Sequence, residues 1–350
     1  MRLSGKSARV PAAVLAAAAV FASWPALADE LIVAIRGGQL GDFYIQKLGP
    51  MFEKQFGTKV TFTVDTSGPA LAKVRAEGAS PKTCVLWTIP TIQTEGERLG
   101  LYEKLDYAKI PNLKDIDQSL VDPENFAVPK SVDYIGITYN EKIFADKGFT
   151  PPTSWSDLFK PEYKGKVALE SPADSYGQVT VAGLAAVMEK GADQRGAAAV
   201  MDRVVKAGPD ILWGSSPAAM TQLLTQTDAW IAAFSSSYVW QAIDAGAPLK
   251  FIHPKEGSFP VASHWAIIKN CPNQTAAYNW VNWHISPEIQ ALEAETVSRF
   301  PVNQKSAALL QKGSAKVKDR LGQTVHAVPM DWKFIQKEYK GWERRLQIGQ

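Results

Sequence analysis

Four histidines and two cysteines would be the most telling side chains in this sequence, and their placement argues against catalysis. His253, His264, His284 and His326 are scattered, and none falls in a nucleophile motif. The chain has no Gly-x-Ser-x-Gly elbow, no His-Glu-x-x-His and no Cys/His metal spacing. It is therefore expected not to be an enzyme and to need no cofactor or metal. What stands out instead is hydroxyls at helix starts. Ser67-Gly-Pro69 and Ser215-Ser-Pro217 each read as a serine N-cap with Pro at the first helical position. Ser235-Ser-Ser237, centred on Ser236, precedes a third helix. Helix N-termini at strand ends offer free N–H groups and partial positive charge, suited to a carboxylate or phosphate. Arg36 follows the first apolar run and could add a bidentate contact. Ordinary capping and a surface arginine explain the same residues equally well. Trp87 ends a strand, as either a stacking wall or a core residue. Tyr176 and Tyr238 lie beside serines near other strand ends.

Those residues sit in a strand–helix alternation. Glu30–Ile35 is a short apolar run, and Lys59–Val64 is β-branched and alternating. A third strand is expected at 84–87, with helices at 42–56, 70–77 and 92–99. Gly49-Pro50 should kink the first of these. Extended segments follow at 127–129 and 134–139. A second round then brings strands at 166–169, 210–213, 228–234 and Leu249–Ile252. Its helices are expected at 178–190, 193–207, 217–225 and 239–245. The chain returns through 263–268 into helices at 274–284 and 287–294. Trp332, Ile335, Tyr339, Trp342 and Leu346 mark one face of a last helix. This pattern predicts an α/β fold in which a second α/β unit is inserted into the first, with two chain crossings acting as a hinge.

The N-terminus reads as an export signal. Arg2, Lys6 and Arg9 precede the apolar run 10–22, and Ala26-Leu-Ala28 carries small residues where a signal peptidase reads. Cleavage is expected before Asp29, releasing a soluble periplasmic protein. The 350-residue precursor carries 38 Lys and Arg against 35 Asp and Glu. Cleavage removes three bases and no acid, so the mature charges balance. A neutral chain has no electrostatic footprint for nucleic acid or an anionic membrane. With 46% hydrophobic residues, the chain can build more than one core.

Several phrases resemble the extracellular solute-binding proteins of ABC importers, in the branch of the spermidine/putrescine-binding proteins. They are Tyr134-Ile-Gly-Ile-Thr-Tyr-Asn140, Ser154-Trp-Ser-Asp-Leu-Phe-Lys-Pro-Glu-Tyr-Lys-Gly-Lys166 and Pro254-Lys-Glu-Gly257. The stretch 276–294, the segment Arg299-Phe-Pro-Val-Asn303 and the terminal helix extend the likeness over the mature chain. The resemblance implies a two-lobed type II periplasmic-binding fold, with two mixed sheets flanked by helices and a two-strand hinge. Lobe one would comprise 29–138 and 261–330, lobe two 139–260, and 331–350 a C-terminal helix packing on a lobe. It implies a monomer that captures a small solute between its lobes and delivers it to a permease with its ATPase. The family's ligand lies between aromatic walls and carboxylates. The matching positions here are mostly neutral: Thr88, Ser175, Phe234 and Ser263, joined by Trp87, Tyr176 and Tyr238. Glu170 and Asp174 make that departure partial. A buried ammonium lacking a counter-charge costs several kcal/mol, whereas a cation–π contact returns only about 0.5–2. The expected solute is therefore neutral, zwitterionic or anionic, with a polyamine as the alternative. In this fold Cys84 and Cys271 fall at neighbouring strand ends, which makes them a candidate disulfide.

Overall fold

The structure, a computed structural model, describes residues 30–188, 196–207, 210–322 and 325–349. The expected signal peptide at 1–28 lies outside the described residues. The strands are β1 (Glu30–Ile35), β2 (Lys59–Val64), β3 (Val85–Thr88), β4 (Val128–Asn140), β5 (Val167–Glu170), β6 (Ile211–Gly214), β7 (Ile231–Ser235), β8 (Leu249–Ile252) and β9 (Phe259–Ile267). They follow one hydrogen-bonded path, β2-β1-β3-β9-β4-β7-β5-β6, with β8 paired to β4. The two expected sheets are thus joined through the crossing strands. At one end β1 runs parallel to β2 and β3, and at the other β5 runs parallel to β6 and β7. β4 and β9 pair antiparallel with each other and carry the chain between the ends.

β4 differs from the expectation of two short extended segments. It is one 13-residue strand, and nearly all of it is buried. Lys130, Ser131 and Asp133 interrupt its apolar pattern, yet each is buried because the fold supplies its partners. An apolar-periodicity reading stops at charges. A buried charge with a built partner does not end a strand.

The helices shield each end. Around β1, β3 and the end of β9, one core gathers Phe52, Trp87, Trp265 and Trp280. Around β5 and β7, Trp155, Leu169, Tyr176 and Phe259 belong to a second core, with a smaller cluster on the other side. The helical stretch 39–56 contains a π-turn at Tyr44–Leu48 just before Gly49-Pro50, which places the break where proline removes a hydrogen bond. The phrase around Trp155 proves to be a joint. Ser154 and Asp157 form a capping box, Ser154 also donates to Glu256, and the Trp155 indole donates to the Gly257 carbonyl at 2.7 Å. Helix Trp332–Gly349 sends Ile335, Trp342 and Leu346 into the second core while also packing on helix Pro90–Arg98 beside the first.

Candidate functional site

Three helix starts meet in a small cavity of about 100 Å³. From the β1 end come Arg36 and the first turns of helices Ser67–Glu77 and Pro90–Arg98, and from the β5 end comes helix Ser175–Met188 with Asp174 before it. The N-caps of the first two, Thr66 and Ile89, make no side-chain cap hydrogen bond, so no cap side chain covers their first-turn amides. The Ser67 and Thr91 hydroxyls and Gln178 Oε1 line this space, buried and without partners. Buried polar atoms are seldom left unmatched. Three around one cavity make it the candidate site. The third helix start is already served: Asp174 Oδ1 accepts from the Tyr176 amide at 3.0 Å and from the Ser175 hydroxyl at 3.2 Å. Gly177 allows this turn to form, because a Cβ there would collide with the carbonyls of Glu170 and Ser171.

Arg36 closes the mouth. Its guanidinium lies 5.4 Å from the Tyr176 ring centroid, and Nη2 stands 3.8 Å from Asp174 Oδ2. Behind Asp174, Glu170 ends β5 with its carboxyl buried and in side-chain hydrogen-bond contact with Asp174. Burial, and then the nearby Asp174 charge, push its pKa well above the usual carboxylate value.

Asp133, at the middle of β4, is the opposite case. Its oxygens receive the Tyr134 amide, the hydroxyls of Ser235, Ser236 and Ser237, the Ser237 amide, the Tyr176 hydroxyl and Arg299 Nη1. Burial alone would raise this carboxyl, but Arg299 and the three serines hold it below its ordinary range. Arg299 lies between the Trp87 and Tyr238 rings, 5.9 Å from each centroid, and its Nη1 also donates to the Tyr176 hydroxyl at 3.3 Å. The chain carried no periodic signal for Arg299. This residue opens the Arg299-Phe-Pro-Val-Asn303 segment, directly after Ser298, which ends helix Pro287–Val297 with a left-handed φ of 54°.

Under this floor lies a second buried network. Lys130 Nζ is 3.1 Å from Glu293 Oε1 and 3.8 Å from the Trp87 ring centroid, and the Glu293 side chain also meets His284 and Tyr44. A larger cavity, about 300 Å³, is lined by Val132, Tyr134, Phe300 and Val317. Val132 and Tyr134 alternate with Asp133 along β4 and so face away from it. That cavity's lining includes no buried unpartnered polar atom.

Of the residues expected at the site, Arg36, Ser67 and Ser175 line the small cavity and Tyr176 stacks under Arg36. Tyr238 stacks on Phe234 at 5.9 Å and faces Arg299. Other expectations need correction. Ser67 is the first residue of its helix rather than a hydroxyl cap. Ser216 is the serine N-cap before Pro217 that the sequence predicts, accepting from the Ala219 amide at 3.2 Å. Ser236 donates to Asp133 at 2.6 Å, so this helix start holds an internal carboxylate and not a guest. Trp87 is packed in the first core against Lys130, and Thr88 turns its hydroxyl to the Ile89 carbonyl. Ser263 is buried opposite Ser131 in the β4–β9 ladder. Cys84 and Cys271 are buried neighbours, as expected, with their sulfurs facing each other. Among the described residues no helix is long and apolar enough to cross a membrane, and no cluster of His, Cys, Asp and Glu could hold a metal.

The relatives of this chain share that architecture. The putrescine-binding periplasmic protein of Escherichia coli is 27% identical over 293 residues, covering 77% of each chain. The gamma-aminobutyric acid-binding protein of Pseudomonas aeruginosa is 26% identical over 256 residues, covering 69% of this chain and 68% of that one. Among solved structures, a periplasmic binding protein from Actinobacillus pleuropneumoniae with fructose-6-phosphate bound superposes with a TM-score of 0.72 at 19% identity, over 91% of this chain and 97% of the other. Each of these three is a binding protein, and two of them are periplasmic. The profile described as bacterial extracellular solute-binding protein matches residues 47–321, and the chain belongs to that family.

Proposed function

We propose that this protein is the periplasmic substrate-binding component of an ABC importer, and that it takes up a small polar solute by closing two lobes around it. The lobes are 29–138 with 261–330, and 139–260; the protein is a monomer, exported by cleavage before Asp29. The observation that carries this reading is the set of buried, unmatched polar atoms of Ser67, Thr91 and Gln178 around the cavity between the two ends of the sheet. A solute that bridges both sides stabilises the closed form by its differential affinity alone.

The charges disfavour a linear polyamine. Asp133 is saturated by internal donors, and Asp174 is engaged by the Ser175 hydroxyl, the Tyr176 amide and Arg36. A neutral, zwitterionic or anionic solute fits the remaining groups better. The test is a thermal-shift screen of ligand-free mature protein with amino acids, opines, sugar phosphates, phosphonates, putrescine and spermidine, followed by calorimetry and small-angle scattering. A non-polyamine hit that compacts the protein is expected. The strongest shift coming from putrescine or spermidine would overturn the charge argument. Turnover of any hit would overturn the transport reading.

A further inference from the structure

Helix Ser236–Asp244 starts on Asp133, to which Ser236 donates at 2.6 Å, and packs back along β4, β7 and β8. Its far end carries Asp244, which meets two cations of helix Ala315–Leu321. Arg320 serves both oxygens, with Nη2 at 2.8 Å from Oδ1 and Nη1 at 3.0 Å from Oδ2, and Lys316 Nζ lies 2.8 Å from Oδ2. Those cations belong to the opposite end of the sheet. Ser314 caps their helix, and its amide and hydroxyl each donate at 3.1 Å to Glu295 of helix Pro287–Val297, whose Val297 lies in the first core. Arg320 Nη1 also donates to the Ser298 hydroxyl at 3.3 Å, and the guanidinium lies over Trp240 at 5.7 Å. One nearly buried arginine therefore touches both ends of the sheet.

The two arginine–aspartate pairs that hold helix Ser236–Asp244 differ in leverage. Asp133 and its partner Arg299 lie on the crossing strand itself, so bending β4 and β9 leaves them nearly in place. Asp244 stands eight residues beyond Ser236, about 12 Å away at 1.5 Å per residue. Because the helix runs back along the strands, a bend of about 15° carries its far end by up to about 3 Å. Bonds of 2.8 Å do not survive such a displacement.

We infer that Asp244, Arg320 and Lys316 form a clasp that is made when the two lobes close and broken when they open, biasing the protein towards the closed form from outside the cleft. The inference rests on the two-lobed reading above and adds a regulating contact to it. None of the three residues lines the small cavity, so the clasp acts on the open–closed balance and not on recognition. The side chains of Asp244 and Lys316 are 37% and 44% exposed, so dissolved salt reaches this contact, whereas it does not reach the buried pair of Asp133 and Arg299.

The test is the distance between two spin labels on mature protein, placed at Lys73→Cys and Gln226→Cys, exposed positions at opposite ends of the sheet; the native cysteines are buried. In ligand-free protein Asp244→Asn should move the distance distribution towards the open form. Raising sodium chloride from about 0.05 to 1 M should move the labelled parent chain the same way, and Asp244→Asn should respond less. An amino acid, sugar phosphate or polyamine from the screen above that closes the parent should bind Asp244→Asn roughly 5-fold or more weakly. The salt series leaves Asp244 in place, so the clasp is tested even if the variant fails to fold. If a solute shortens the distance in the parent while Asp244→Asn gives the same distances and affinity, the clasp is refuted and lobe closure stands. A clasp kept in both forms would also leave those distances unchanged and lower only the resistance to urea, which refutes the inference. A parent whose distance responds to no solute and no salt removes closure and clasp together.

Discussion

Replacing Asp133 with asparagine should be among the most damaging single changes to this fold, and the cost can be worked from its contacts. Asn keeps an oxygen where Oδ1 accepts from the Tyr134 amide, the Ser236 hydroxyl and the Ser237 amide. Where Oδ2 accepted, it presents an amide that donates. The hydroxyls of Ser235, Ser237 and Tyr176 can rotate to accept instead. Arg299 cannot, having no acceptor to offer, and with Nε and Nη2 already unmatched it becomes a buried cation without a counter-charge. Stranding one member of a buried ion pair costs about 3–5 kcal/mol. Urea unfolding followed by tryptophan fluorescence measures this directly. Adding Arg299→Met to Asp133→Asn removes the stranded charge and should recover about 2 kcal/mol, a coupling that additive effects would not show. Asp174→Asn is the control, because its pair with Arg36 is looser at 3.8 Å and should cost about 1 kcal/mol or less. A loss below about 1 kcal/mol for Asp133→Asn, or strict additivity in the double variant, would refute the claim that Arg299 depends on this carboxylate.

Two further outcomes follow from buried groups. Burial alone would raise the Glu293 carboxyl, but Lys130 and His284 hold it at about 2; against an unfolded value of about 4.3, its contribution of about 3 kcal/mol is present above that pH and lost as acid carries the protein down towards pH 2. Stability measured against pH should show that slope in the wild type, and a Glu293→Gln variant that retained it would assign the slope to other groups. Cys84 and Cys271 are buried neighbours in a chain expected to reach an oxidising compartment, so mass spectrometry of non-reduced periplasmic protein should find them linked, whereas two free thiols would end that reading. Such a link closes a loop of more than 100 residues, for which the chain-entropy model gives about 5 kcal/mol.

The architecture was legible because it rests on periodicity and punctuation. β1, β2 and β8 begin and end as their apolar patterns do, and the helix starts at Pro217, Gln274 and Pro287 fall where proline or a capping asparagine marks them. The site was legible only in part, because its decisive residues break those same patterns. Arg36 could be found, as a cation placed where a strand runs into a glycine pair. Asp133 and Arg299 could not, since their pairing spans 166 positions and each alone reads as a solvated charge. Serines misled for a related reason. A hydroxyl before a helix has the same local signature whether it caps its own helix, as Ser216 does, or serves a distant carboxylate, as Ser236 does. Only the fold distinguishes them.

The same contrast explains why closure can depend on a guest. The pairs that hold each side together are close, 3.1 Å for both Lys130–Glu293 and Arg299–Asp133. Across the mouth, Arg36 and Asp174 stand at 3.8 Å, and behind them the Ser67, Thr91 and Gln178 atoms lack partners. Each unmet buried group works against the closed form by about 1–3 kcal/mol, and opening returns it to water. The mouth itself is thus spanned by one loose ion pair and opposed by several dehydrated polar groups, while away from it Asp244 pairs with Lys316 and Arg320 at 2.8 Å and Asp133 takes the hydroxyls of Ser235, Ser236 and Ser237. On the solute-binding reading proposed above, a solute that matched those groups would remove the opposition and shift the balance towards the shut state.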